Sequence, residues 1–532
     1  MEKVLAKPTL KQKIISFFSV RANLYFVGLL VLGVLLRIIR FGITPTGLNQ
    51  DEAFAGYEAY SLANYGMDSA GYFNPVYFVS WGSGMNVLES YLAVPFVKIF
   101  GLNVYTIRLP QLIIALISLP IVYLTAKQVF KNNQIALIAL GLAVISPWHI
   151  MLSRWGLESN LAPGLLLIGL YFFIKGIDKN FYFIISAFFY GITLYAYAIS
   201  WAVVPLTLLF NGLYLILTKT KFSWKYIVLA VLVLLVFATP LILFVLVNNG
   251  LIGEIKTRLI SIPKMAVMRD SEIKLSNLIK PTSYLYLLKL IFWQGDGLKH
   301  NSTYFGLFYK SSIPFMTLGF FLQVKDFILS VKKKEFKAQN LFLTSLVCAI
   351  ITTLLLYKPN INRANALHFN LLFSTAIGLN AFFNYFKKAK YLKRIFVVGY
   401  SILTIAFCGV YFVKFDKDIS YNFKRGVKEC VEFVKQNEFE KISVDSDIYY
   451  SQILFYDKTP VKNYRQTVKY QNYPNAFLIV DSFENYYFFD NSVIEISDSF
   501  NAYIIAKSDR QRFIDSGYNV QTFYEFSVAY KL

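Results

Sequence analysis

Apolar runs close to the ~20 residues that a helix needs to cross a bilayer recur along this chain as far as Val413. No other feature restricts its fold so severely. Spans are read near residues 22–40, 109–126, 134–150, 162–175, 181–198, 201–218, 226–247, 305–323, 340–357, 366–385 and 395–413. With 56% hydrophobic and 18% aromatic residues, the chain departs far from the soluble average. The class is therefore a polytopic α-helical membrane protein of about eleven transmembrane helices.

The charge distribution orients it. The formal charge of +22 would point to nucleic acid in a soluble protein, but it is not evenly spread. Residues 414–532 hold 15 Lys/Arg against 17 Asp/Glu, leaving 38 basic and 14 acidic groups in residues 1–413. The excess belongs to the membrane part, where it reports orientation and excludes nucleic acid as a partner. With residues 1–21 cytoplasmic, every even-numbered gap falls inside. Those gaps contain Lys127 and Lys131, Lys175 and Lys179, Lys219 with Lys221 and Lys225, VKKKEFK, and KKAKYLKR, as the positive-inside rule requires. The segment 85–101 carries Glu89 and Lys98, and counting it as a span would reverse every later loop. It is read as an interfacial helix. The first outer loop then runs from 41 to 108, a long outer loop from 248 to 311, and the C-terminus is external. The first span, preceded by Lys3, Lys7, Lys11, Lys13 and Arg21 and lacking a small-residue cleavage site, is retained. Cysteine is uninformative: Cys430 is alone in the external part.

Basic residue type also differs by side. The inner loops hold 20 Lys with only Arg21 and Arg394, whereas Arg37, Arg40, Arg108, Arg154 and Arg363 collect at the outer ends. Forked donors suit a phosphate or carboxylate. Ion pairs that anchor the outer loop account for them equally well. The long outer loop has nine Lys/Arg, and it either covers a cavity or is a solvated basic loop.

Two acidic sites share this face. In FGITPTGLNQDEAFAGYEAY, Asn49 or Asp51 can cap a helix. Asp51 and Glu52 open it, and Phe54, Tyr57, Leu62 and Tyr65 share a side that suits lipid in an interfacial helix. A capped connector whose acids favour its N-terminus is the plainer alternative. In SPWHIMLSRWGLESNLAP, Arg154 and Glu158 stand four residues apart and can pair on one helical face. Ionisable groups at such depth usually face a cavity.

The DE pair after the first span, PVYFVSW, FGLNVYTIRLP, SRWGLES, FWQGDGLKHNSTYFG and NINRANALHFN resemble the bacterial branch of the dolichyl-phosphate-mannose-protein mannosyltransferase family. This is the GT-C superfamily of polyprenyl-phosphate-sugar-dependent glycosyltransferases, which includes the lipid A aminoarabinose transferases. The similarity covers about residues 20–385. It implies a GT-C-like fold with two interfacial helices in the first outer loop, Asp51 as catalytic acid with Glu52 its neighbour, and Glu158 in place of a common Asp. It also implies inversion at the anomeric carbon.

The chemistry agrees. A sugar on a polyprenyl phosphate has a good leaving group, so what remains is a base for the acceptor hydroxyl and positive charge for the departing phosphate. Asp51 is the candidate base. Arg363, Lys299, Arg154 and His300 are candidates for the phosphate. The implied partners are a polyprenyl-phosphate sugar donor, membrane lipids, and a glycan, lipid or protein acceptor, at the bacterial cell membrane with the active site extracytoplasmic. No cofactor is required. A divalent metal among His149, His300, His368 and the acids is conceivable, but no metal-ligand spacing is present. The alternatives are a polyprenyl-diphosphate oligosaccharide ligase or polymerase, and a lipid-linked sugar flippase.

Residues 414–532 change character. KISVDSD, AFLIVDS, AYIIAK and FYEFSVAYKL read as strands after a helix near 421–436, giving a small extracytoplasmic α/β domain. Asp445-Ser446-Asp447 resembles a metal-binding DxD but equally ends a strand. Tyr449, Tyr450, Tyr486 and Tyr487 could stack on acceptor sugars or fill a core.

Overall fold

The structure, a computed structural model, describes residues 19–81, 83–267, 273–489 and 496–531. The basic N-terminal stretch before Ser19 and part of IKTRLISIPKMAVMRDSEIK lie outside these residues. Eight described helices are long and apolar enough to cross a membrane: Arg21–Ile38, Val104–Phe130, Glu158–Asp178, Ser200–Leu217, Trp224–Asn248, Lys310–Lys333, Asn365–Tyr385 and Lys390–Ile419. Three shorter apolar helices, Asn133–Ile145, Tyr182–Thr193 and Asn340–Leu354, occupy the places of the other expected spans. The first has a local reason to be short. Asn133–Ile145 stops at Ser146 because Pro147 begins a new helix, with the Ser146 side chain capping His149 N–H. The span expected at 305–323 instead runs from Ile313 to Lys333, so two lysines of VKKKEFK complete its last turn. Lys127 and Lys175 also fall in last turns, where a cation meets free carbonyls and its stem covers apolar surface.

Helix packing uses small residues where backbones must approach. The Ile313–Lys333 and His368–Tyr385 helices cross at Gly319 and Gly378, and a Cβ on either would collide with a carbonyl of the other helix. Trp224–Asn248 packs on Tyr182–Thr193 and leaves Val228, Val231, Leu235, Val236 and Ile242 exposed, the surface expected to meet lipid.

The first outer loop forms two helices, Gln50–Tyr65 and Leu88–Phe100, packed on each other. The second has 13 residues, with Glu89 in its first turn and Lys98 in its last, and it is not among the apolar helices of spanning character. Its neighbour differs from expectation in one respect. Phe54, Tyr57 and Leu62 are buried, and they belong to one core with Val431, Tyr450, Ile453 and Leu454 of the C-terminal domain. The aromatic side thus faces protein, with Tyr65 left exposed. Two acids on this loop are buried as well. Glu58 accepts from Ser69 N–H at 2.8 Å and from Ser69 Oγ, and Asp68 accepts from Tyr72 N–H at 2.7 Å.

The long outer loop carries a short hairpin, β1 (Ile255–Lys256) with β2 (Ser261–Ile262), and a helix at Pro281–Leu288. The C-terminal domain holds a seven-stranded sheet built from β3 (Ile442–Val444), β4 (Lys469–Tyr470), β5 (Val480–Phe483), β6 (Tyr486–Phe488), β7 (Ala502–Ala506), β8 (Asn519–Phe523) and β9 (Phe526–Tyr530). Their order is β4-β5-β6-β3-β7-β9-β8, with β3 parallel to β6 and β7 and the other pairs antiparallel. Three of these strands, β3, β7 and β9, lie within the runs read from sequence, and β5 overlaps the fourth. The expected helix begins at Val427, after a turn.

Candidate active site

Asp51 is positioned from three directions. Gly47 has φ +69°, and a Cβ there would strike the Phe423 carbonyl. That carbonyl accepts from Leu48 N–H at 2.7 Å. Asn49, not Asp51, is the cap, its side chain accepting from Asp51 N–H at 3.0 Å. From above, Ser451 Oγ donates to Gln50 O at 3.0 Å and Gln452 Nε2 to Leu48 O at 2.9 Å. The helix containing them, Tyr450–Asp457, sets the Phe455 ring against Gly56. The cap of this helix is thus supplied by its neighbour Asn49.

Glu52 points the other way. Its Oε1 accepts from Arg108 Nε at 2.6 Å and Gly156 N–H at 2.8 Å, and its Oε2 from Arg108 Nη2 at 2.9 Å. Arg108 also donates to Pro45 O and Gly47 O at 2.8 and 2.9 Å. Both side chains are wholly buried. The two adjacent acids therefore face different environments, one a cavity and one a buried guanidinium.

The cavity has a volume of about 980 Å³ and lies between the ends of the spanning helices, the outer loops and the C-terminal domain. Asp51, Glu158, Arg363 and His300 all line it. Glu158 is placed by Asn86 N–H, which donates to its Oε2 at 2.6 Å. The Arg363 and His300 segments are tied together through Asp296. Its Oδ2 accepts from Asn301 Nδ2 at 2.7 Å and Ile361 N–H at 3.0 Å, while Asn362 Nδ2 donates to Asn301 Oδ1 at 2.7 Å. Burial pushes the His300 imidazole below its ordinary pKa, against an opposing pull from Asp296.

The other arginines are held by protein groups away from the cavity lining. Arg154 is buried and donates to the carbonyls of Thr44, Arg37 and Ile39 at 3.0, 2.9 and 2.6 Å. It does not line the cavity, and the expected helical pair with Glu158 does not form. The chain between them is non-helical because Glu52 holds Gly156 N–H and Gln111 Nε2 holds Leu157 O at 2.9 Å. Arg37 is buried among the Gly33, Val144 and Ala143 carbonyls and His149. Arg40 pairs with Asp416 at 3.2 Å, and Asp416 also accepts from Thr44 Oγ1 and Thr46 N–H. Of the five outer arginines, Arg363 is the one on the cavity wall. Lys299 is exposed and outside the lining.

His149 and His368 are buried against Trp148 and do not join His300. Among the described residues no group of three or more His, Cys, Asp or Glu side chains is arranged to hold a metal. Asp445 is a turn residue: its Oδ1 accepts from Asp447 N–H at 2.8 Å and its Oδ2 from Ala506 N–H at 3.1 Å.

Residues 87–243 match the family model described as dolichyl-phosphate-mannose-protein mannosyltransferase. The resemblance read from the sequence is borne out. The architecture is similar to that of ArnT from Cupriavidus metallidurans in the apo state, at TM-score 0.55 and 12% identity over 98% of each chain. ArnT bound to undecaprenyl phosphate matches at TM-score 0.51, 12% identity and the same 98% coverage of both. The chain shares the fold of ArnT. The archaeal oligosaccharyltransferase AglB from Archaeoglobus fulgidus, in complex with an inhibitory peptide and a dolichol-phosphate, matches at TM-score 0.49 and 13% identity over 82% of this chain and 64% of that one. No curated protein sequence matches.

On this ArnT-like frame, Asn422 and Lys424 are wall residues that carried no signal in the sequence. Lys424, Asn422 and Tyr449 reach the cavity from the C-terminal domain and its connector. Tyr449 was among the aromatics considered for stacking; Tyr450 and Tyr486 are instead buried. Glu89 is buried between Gly156 and Glu52, and burial with the nearby Glu52 charge holds its carboxyl well above the ordinary range. Its presence in an apolar helix was the available signal, used only to argue against a span.

Proposed function

We propose that this protein is a membrane glycosyltransferase that moves a sugar from a polyprenyl-phosphate donor to an acceptor hydroxyl on the outer face, with Asp51 as general base. The observation that carries this is the shared lining of one large cavity by Asp51, Glu158, Arg363 and His300, at the ends of the long apolar helices of an ArnT-like fold. The match of residues 87–243 to a mannosyltransferase family supports the reaction class. The ArnT structure bound to undecaprenyl phosphate supports the donor class. The orientation rests on the Lys clusters between spans.

In this mechanism the acceptor oxygen attacks the anomeric carbon while Asp51 takes its proton. The bond from that carbon to the phosphate oxygen breaks with inversion, and the polyprenyl phosphate departs with the electron pair. Arg363 and His300 hold the leaving oxygens from the cavity wall, which Lys299 does not line. Glu158 orients the acceptor or donor sugar hydroxyls. Glu52 supports this chemistry by holding Arg108 and the loop that Arg108 binds.

Purified protein in lipid, offered a panel of polyprenyl-phosphate sugars and cell-envelope acceptors, should release polyprenyl phosphate and form glycosylated product. Movement of the lipid-linked sugar across liposomes with no product would replace this proposal by a flippase.

A further inference from the structure

The cavity has two unlike walls. Tyr197, Ile199, Trp201 and Phe244 come from the spanning helices and their ends, whereas Asn422, Lys424 and Tyr449 come from the C-terminal domain and the connector leading into it. Lys424 is the unusual member. It is 7% exposed, and among the described residues its ammonium makes no hydrogen bond and no ion pair. Its neighbours are the rings of Tyr421 at 4.7 Å and Phe526 at 5.7 Å. Asp445 and Asp447 act on it from beyond pairing distance, and burial lowers its pKa. Asp445 is committed to the backbone, and Asp447 accepts from Tyr421 OH.

The position of this lysine is enforced. Its φ is +52°, in the left-handed region that L side chains rarely adopt. It is kept there by bonds on both sides, from Arg425 N–H to Ser420 O at 2.9 Å and from Val427 N–H to Lys424 O at 3.2 Å. Strained non-glycine backbone held by its surroundings concentrates at functional positions. A buried cation without an anion also costs free energy that a bound anion would offset.

We propose that Lys424 is the recognition site for an anionic group on the acceptor, a phosphate or phosphodiester carried by a sugar or polyol. This rests on the transferase function proposed above and names its acceptor class. One observation assigns the anion to the acceptor. The residue before Lys424 accepts from Leu48 N–H, three residues from Asp51, so Lys424 is tied to the segment that carries the base for the acceptor hydroxyl. The Phe423 ring also lies 6.1 Å from that of His300, so donor and acceptor sites adjoin here and the binding test separates them.

Binding to the full-length protein in nanodiscs tests this with three probes: glucose 6-phosphate, glucose and undecaprenyl phosphate. Wild type should bind glucose 6-phosphate in preference to glucose. Lys424→Gln should weaken glucose 6-phosphate by about tenfold or more, and Lys424→Arg should retain it, because a charge-assisted contact is lost in one and kept in the other. Undecaprenyl phosphate should bind all three proteins alike. Lys424→Met, of similar length, replaces the Gln variant if that does not fold. Equal glucose 6-phosphate binding by wild type and Lys424→Gln would make the lysine structural and overturn the proposal. Loss of undecaprenyl phosphate binding in Lys424→Gln would move it to the donor and overturn it too. A wild type that binds no undecaprenyl phosphate would defeat the donor assignment itself, a failure read separately from that of Lys424.

Discussion

Asp51 and Glu52 are adjacent acids, and neutralising each should have opposite consequences. In Glu52→Gln the carboxamide can still accept from Arg108 Nε and Gly156 N–H, now at 2.6 and 2.8 Å from Oε1. Its NH₂ would then face Arg108 Nη2, which stands 2.9 Å from Oε2, placing donor against donor beside a buried cation with no counter-charge. Breaking a buried pair by removing one partner costs about 3–5 kcal/mol. The loss should appear as a lower unfolding temperature and a fall in well-folded protein, followed by fluorescence or size exclusion in detergent. Asp51→Asn should instead unfold with the wild type, because Asn49 keeps the cap, while turnover falls by about 10²–10⁴-fold. An Arg108→Gln/Glu52→Gln double variant should lose less than the two singles together, since no charge is left unpaired. Wild-type stability in Glu52→Gln would refute the buried-pair account. Normal transfer by a folded Asp51→Asn would remove Asp51 as the base.

Arg363→Ala should lower kcat/KM for the donor by about 2–4 kcal/mol, and Arg363→Lys should lose less; wild-type donor kinetics in the Ala variant would make Arg363 structural. Cysteines introduced at Asn132 and Ser516, probed with an impermeant thiol reagent in intact cells, should be protected and labelled respectively, and the reverse would overturn the orientation. Burial raises the carboxyls of Glu58 and Asp68 above their ordinary values, and the Asp68 charge pushes Glu58 further up. An acid whose folded pKa exceeds its unfolded one gains a proton on folding, so its contribution is complete below the unfolded pKa and is lost as pH rises through the folded one. Stability should therefore decline from mildly acidic pH toward and past neutrality, and Glu58→Gln should flatten that decline in thermal unfolding measured across pH.

The membrane class, the approximate places of the spans and the candidate base were legible in the residues themselves. Apolar length and Lys-rich gaps act locally, and an acid pair after the first span stands out against an apolar background. The parity of the basic gaps also set Leu88–Phe100 apart from the spans, and that helix packs on Gln50–Tyr65. What tertiary structure decided was the work of each charge. Arg37, Arg108, Arg154 and Arg363 are one residue type on one face in the sequence, yet three are buried among carbonyls and a carboxylate and one lines the cavity. That division depends on which backbone groups lie within about 3 Å of a guanidinium, a distance set by helix crossings far apart in the chain. For the same reason the aromatic side of Gln50–Tyr65 looked ready for lipid until the C-terminal domain covered it. Lys424 was one basic residue among fifteen in a nearly neutral domain, and only folding that domain back onto Leu48 brought it to the cavity that Asp51 lines.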